Sequence, residues 1–137
     1  MLVLFDSDVL LDVLAERQQF VQSSAQALDY ALRGKVQGYI SGHAVTNIFY
    51  ILRRQVGSEI ARELLSKLLT RLQVASVTDE VIRSALISPI KDFEDAVASM
   101  AANIANLDVI VTRNIADFVN SPVPAMLPED FTNQISE

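Results

Sequence analysis

The apolar positions of this chain change period along its length, and each change marks an element. Residues 2–5 (LVLF) form a continuous apolar run that stops at Asp6, the pattern of a buried strand. From 20 to 32 the apolar residues recur at helical spacing, through Ala25, Leu28, Ala31 and Leu32, and Gly34 supplies a C-cap. Gly38-Tyr39-Ile40 predicts a second strand, ended by Ser41-Gly42, and residues 43–56 a second helix, stopped by Gly57. Ser58 is expected to cap a third helix over 59–72, whose leucines and isoleucine share one face. Residues 73–77 read as a strand, and Thr78 as the N-cap of a helix over 80–86. The alanine-rich stretch 93–105 predicts a helix suited to close packing on a sheet. A buried strand at 108–112, a helical turn at 115–119 and an extended run at 121–128, bounded by prolines, complete the chain.

Strands alternating with helices predict an α/β fold with a mainly parallel sheet, here one domain over 1–137 without repeat or linker. In such folds ligands bind beyond the C-terminal ends of the strands, where the strand order switches direction. Asp6 directly follows the first strand. Thr112, Arg113 and Asn114 follow the strand at 108–112, and Asp92, Glu94 and Asp95 open the helix that leads into it.

Composition narrows the functional classes. Half of the residues are hydrophobic, too many for a disordered chain, yet no apolar run approaches the roughly 20 residues of a membrane helix. The opening MLVLFDSDVLLD has no basic start and meets an aspartate early, so it is not expected to be a signal peptide. There is no cysteine, which excludes disulfide scaffolds and thiolate chemistry and fits a cytoplasmic protein. The net charge is −6, from 11 basic and 17 acidic residues, the wrong sign for gripping nucleic acid by phosphate neutralisation alone. A nucleic-acid role then needs a local basic patch or metal ions held by the acids. The adjoining amphipathic helices at 43–56 and 58–72 carry aromatics and predict self-association as a homodimer.

Asp6, Asp8, Asp95 and Asp117 are therefore candidates to converge at one edge of the sheet. Gathered carboxylates repel one another, and a divalent cation relieves the conflict. Oxygen donors without cysteine favour Mg²⁺ or Mn²⁺, and such a site suits phosphodiester or phosphomonoester hydrolysis. Each aspartate taken alone reads equally as a helix N-cap. His43, the single histidine, reads as a polar group near a helix start, and Phe49 and Tyr50 as packing or interface residues. Ser23 and Ser24 have no histidine partner in view that would make a nucleophile.

Three α/β families place an aspartate directly after their first strand. Asp6-Ser7-Asp8 resembles the Asp-x-Asp triplet of haloacid dehalogenase-like phosphatases, but Val9-Leu10-Leu11 replaces their usual glycine and threonine. Receiver domains need an aspartate near mid-chain, and none occurs between Tyr30 and Val77. The chain most closely resembles PIN domains. FDSDVLLDVL is similar to their opening, SGHAVTNIFYILRR (41–54) to their second block, and DFEDAVASMAANIANLDVIVTRNIADF (92–118) to their third and fourth. The stretch from Pro124 to Phe131 resembles their closing strand.

That resemblance implies a Rossmann-like α/β/α sandwich and a metal-dependent ribonuclease. Small relatives of this kind are often toxins of toxin–antitoxin pairs, so an RNA substrate and an antitoxin partner are implied, and no membrane. By matched position Asp6, Asp95 and Asp117 are the catalytic acids, and Asn114 joins them as a ligand of Mg²⁺ or Mn²⁺. Thr112 orients a ligand or bound water, and Asp92 supports the site. The resemblance also exposes a departure: Asn47 follows Thr46 where the family usually has glutamate, and Asp8 stands where asparagine is common. Arg53, Arg54 and Arg113 are the candidate RNA contacts, although paired arginines late in a helix also complement its dipole. The rival implied by Asn47 is a PIN-fold module, catalytically weak or inactive, that binds RNA or protein.

Overall fold

A computed structural model describes residues 1–136. The order of elements is β1 (Leu2–Phe5), α1 (Ser7–Leu14), α2 (Val21–Leu32), β2 (Gln37–Ser41), α3 (Gly42–Val56), α4 (Ser58–Leu68), β3 (Gln73–Ala75), α5 (Asp79–Leu86), α6 (Phe93–Ile104), β4 (Val109–Val111), a 3₁₀ turn (Ile115–Phe118), β5 (Ala125–Met126) and α7 (Pro128–Ser136). The strands form one five-stranded sheet in the order β3-β2-β1-β4-β5. Every pairing is parallel: Val3 lies opposite Gly38 on one side and Val109 on the other, and Ile110 opposite Ala125.

Strand alternation divides the core between the two faces of this sheet. Val3, Phe5, Ile40, Val109 and Val111 join one cluster with α1, α2, α3, α4 and Phe131 of α7. Leu4, Ala75 and Ile110 join the other, with α5 and α6. The result is a three-layer α/β/α sandwich, as the sequence predicts. Ala96, Ala98, Ala101 and Ala102 of α6 are all buried, which lets that helix lie close to the sheet. Gly38 meets a similar demand: a Cβ there would lie 2.5 Å from Leu72 Cδ2 and 2.8 Å from Ala31 Cβ.

Three local expectations are corrected. Residues 7–14 carry no helical expectation, yet they form α1; its nearly unbroken apolar run, with Val9, Leu10 and Leu11 all buried, hides the periodicity of a helix packed on most sides. The cap of α4 is Gly57, at φ +86°, rather than Ser58, which is already helical, and α4 ends at Leu68 rather than continuing to 72. The closing strand is only Ala125–Met126. Pro128 takes the first position of α7, where its missing N–H costs nothing. Phe131 then packs edge-on against Phe5 and Tyr30, each at 6.3 Å between ring centroids.

The chain runs from β1 outward to β3, then returns across β1 to β4. Neighbours of β1 thus lead away in opposite directions, and a crevice opens at the C-terminal ends of β1 and β4.

Candidate active site

Asp6 leaves β1 while its N–H still bonds the Val111 carbonyl at 2.9 Å, so it sits at the mouth of that crevice. It is the N-cap of α1. One carboxylate oxygen accepts from the Ser7 N–H at 2.8 Å and the other from the Thr112 hydroxyl at 2.8 Å. Thr112 is fully buried, and its hydroxyl also accepts the Asn114 N–H at 3.0 Å. Asp8, on the first turn of α1, accepts from the Arg113 N–H at 3.2 Å and the Asn114 side-chain amide at 3.1 Å. Its second oxygen, Oδ1, is buried without a partner among the described residues.

Asp92 caps α6, accepting the Asp95 N–H at 3.0 Å, and thereby turns Asp95 towards the same crevice. Burial first, and then the charges of Asp6, Asp92, Asp117 and Asp8, push the Asp95 carboxyl up to about 7. Asp6 is pushed up to about 6, by burial and then by Asp8, against the opposing pull of the Thr112 and Ser7 hydrogen bonds. Asp8 is raised by burial, although Arg113 pulls it the other way. Asp6, Asp8, Asp92, Asp95 and Asp117 therefore share one electrostatic neighbourhood. Among the described residues, neither Asp6 nor Asp95 forms a salt bridge. Nor are three acidic or histidine side chains drawn up as a ready metal cage. The donor set is nonetheless the oxygen-rich kind that hard dications take, and it lacks the counter-charge that such an ion supplies.

His43 joins the rim from α3. The Glu94 carbonyl, 3.2 Å from Nε2, can only accept, so Nε2 carries the proton and Nδ1 accepts from the Ser41 hydroxyl at 3.0 Å. Burial, which disfavours the charged ring, lowers the His43 pKa despite the opposing pull of Glu94. His43 thus ties the start of α3 to the start of α6, the polar role near a helix start that its position predicts. Asn47 follows one helical turn later on the same face, half-buried, with no hydrogen bond to the acids among the described residues.

Other expected residues do not gather here. Thr46 is exposed and lines a groove between α3 and α4 with Phe49, Tyr50 and Arg62, because its helix position turns it away from the acids. Arg53 and Arg54 lie at the far end of α3, roughly 16 Å along its axis from the rim. Arg53 sits over the Tyr50 ring at 5.2 Å. Arg113 turns inward: its Nε and Nη2 bond the two oxygens of Asp12 at 2.8 and 3.1 Å, and its guanidinium lies 3.9 Å from the centre of the Phe20 ring. Sequence reasoning gave Asp12 no role. A charged residue inside the apolar run VLLDVL is the signal that would have found it, because such a position is buried and must be paired.

A PIN domain family model matches residues 2–116. This chain belongs to the PIN domain family. Solved structures agree in fold. VapBC2 from Rickettsia felis, bound to a DNA fragment from its promoter, is 15% identical with a TM-score of 0.73, covering 93% of this chain and 98% of that one. A toxin–antitoxin complex from Klebsiella pneumoniae is 22% identical with a TM-score of 0.71, covering 92% and 97%. VapC20 from Mycobacterium tuberculosis, a toxin that cleaves the sarcin–ricin loop, is 14% identical with a TM-score of 0.63, covering 79% and 86%. No curated protein matches the chain by sequence. The fold is thus shared with these structures, and among the described residues no helix is long and apolar enough to cross a membrane.

Proposed function

We propose that this PIN domain is an Mg²⁺- or Mn²⁺-dependent endoribonuclease acting in the cytoplasm. The observation that carries the reading is the pair Asp6 and Asp95. They sit at one crevice, the Asp6 charge helps to raise the Asp95 pKa, and neither forms a salt bridge among the described residues. Asp6 and Asp95 are the principal ligands in this reading, with Asp117 or the Asn114 amide oxygen completing the set. A dication held there supplies Lewis acidity to a phosphodiester and lowers the pKa of a bound water. The chain's own residues do the positioning. Thr112 holds one Asp6 oxygen, which leaves that carboxylate in a single orientation, and Asp92 fixes the first turn of α6 and hence Asp95. Asp8 brings a further negative charge near Asp6.

The VapC structures favour a toxin role with an antitoxin partner, because those relatives were solved in such complexes. Exposed Tyr50, Val56 and Ile60 on α3 and α4 favour a homodimer through that face. A second reading, an RNA- or protein-binding module with weak or lost catalysis, has its own support: Asn47 supplies no charge, and the acids are not drawn into a closed cage.

The deciding experiment is cleavage of a mixed-sequence RNA with Mn²⁺, comparing the natural chain with Asp95→Asn. The nuclease reading expects metal-dependent fragments from the natural chain and loss of about a hundredfold or more in the variant, the scale of removing one essential electrostatic group. RNA binding without cleavage by the natural chain favours the binding module.

A further inference from the structure

Asp12 is the one acid of the opening segment that points away from the crevice, and it is completely buried. Its Oδ2 accepts from Arg113 Nε at 2.8 Å and from the Ser24 hydroxyl at 2.7 Å, and its Oδ1 from Arg113 Nη2 at 3.1 Å. Arg17 stands 3.8 Å from Oδ1. The result is a two-pronged guanidinium–carboxylate pair, with the guanidinium over the Phe20 ring. Three successive residues leaving β4 are thereby tied to three acids of the β1–α1 segment: Thr112 to Asp6, Arg113 to Asp12, and Asn114 to Asp8. The Thr112 N–H is held by the Met126 carbonyl at 2.9 Å, but the N–H groups of Arg113 and Asn114 have side-chain acceptors, the Asp8 carboxylate and the Thr112 hydroxyl.

We propose that Asp12 and Arg113 are positioning residues for the acidic crevice: the buried carboxylate anchors the Arg113 fork, and so holds residues 112–114 where Thr112 fixes Asp6 and Asn114 fixes Asp8. Arg113 then serves the site from below, and its guanidinium is not a phosphate contact. The consequence for catalysis rests on the nuclease reading above; the anchoring itself does not.

The test must separate anchoring from stability, because breaking a buried ion pair by removing one partner is strongly destabilising. Replacing the whole pair by apolar residues of similar volume is often neutral. The variant is therefore Asp12→Leu with Arg113→Met, plus Ser24→Ala so that no buried hydroxyl loses its partner. Amide hydrogen exchange on the full chain reads the outcome. Anchoring predicts protection factors at positions 113 and 114 lowered by about tenfold or more, the scale of one lost hydrogen bond to a charged group, while the amides of β1 keep theirs. RNA cleavage by the same variant should lose kcat with little change in KM. Unchanged protection at 113 and 114 overturns the proposal. Should the triple variant not fold, Arg113→Lys decides on the same readout, since it keeps the charge but lacks the fork. A natural chain that cleaves no RNA removes the nuclease reading and leaves the exchange result to judge this one.

Discussion

Asp12 and Asp95 are both aspartates held by helices next to the same crevice, and the protein treats them oppositely. Asp12 is wholly buried and is given two arginines and a serine hydroxyl. Asp95 is only half-buried and has no salt bridge among the described residues; its neighbours are Asp6, Asp92, Asp117 and Asp8, and its carboxyl is pushed up to about 7. A chain that merely avoided charge repulsion would not leave Asp6 and Asp95 without a salt bridge among the described residues while Arg113, attached to that same rim, pairs its guanidinium with Asp12. In the proposed reading, the contrast is between a carboxylate used as an internal anchor and one that takes a cation from outside. An acidic crevice on a chain of net charge −6 also repels RNA phosphates, so a bound cation would serve attraction as well as chemistry.

The largest effect expected from breaking this comparison is at the anchor. Asp12→Ala leaves the Arg113 guanidinium without its partner in a buried setting, and should cost about 3–5 kcal/mol in urea unfolding. A loss under 1 kcal/mol would mean that the pair is as loosely held as a surface salt bridge, about 0–1 kcal/mol.

At the rim, Asn47→Glu sharpens the contrast by adding a carboxylate at a position that now carries no charge. If residue 47 faces the cluster, Mn²⁺ affinity measured by calorimetry should rise about ten- to a hundredfold, on the order of 1–3 kcal/mol for one added anionic ligand. Asp6→Asn in the same background should abolish the gain. Unchanged affinity would place Asn47 outside the site.

A smaller effect is the pH dependence of the metal-free chain. Asp95 and Asp6 hold protons more tightly folded than unfolded, so from about pH 4 to 7 the folded state binds more protons than the unfolded one. Their contribution to stability is present in full below 3.8 and is lost as pH rises through about 6 for Asp6 and about 7 for Asp95. Asp95→Asn removes one of these losses. Its thermal midpoint should therefore gain on that of the natural chain between pH 5 and 8, and a constant difference across that range would contradict the Asp95 shift.

The fold was largely legible because its signals are local and agree with one another. Apolar runs ending at Asp6 and Thr112 mark β1 and β4, and Thr78 caps α5 through the Val81 N–H as its position predicts. The misses have physical causes. The helix α1 is apolar on too many sides to show a period, and Pro128 reads as a terminator although it opens α7. The positions of Asp6 and Thr112 were legible from strand ends, and that of Asp95 from a helix start. Site residues were not legible where a side chain's direction decides, because spacing cannot show that Arg113 folds back onto Asp12 or that Thr46 turns into the groove between α3 and α4.

The central claim is that the rim acids await a cation while the inner acid already has its own. Carboxyl-detected NMR titration of Asp6 and Asp95, with and without Mg²⁺, tests it most directly. The account predicts that without Mg²⁺ Asp95 titrates near 7 and Asp6 near 6, and that saturating Mg²⁺ moves both well down, as an ion bound to the ionised forms must. Both groups titrating near the ordinary aspartate value of about 3.9, with no response to Mg²⁺, would contradict it.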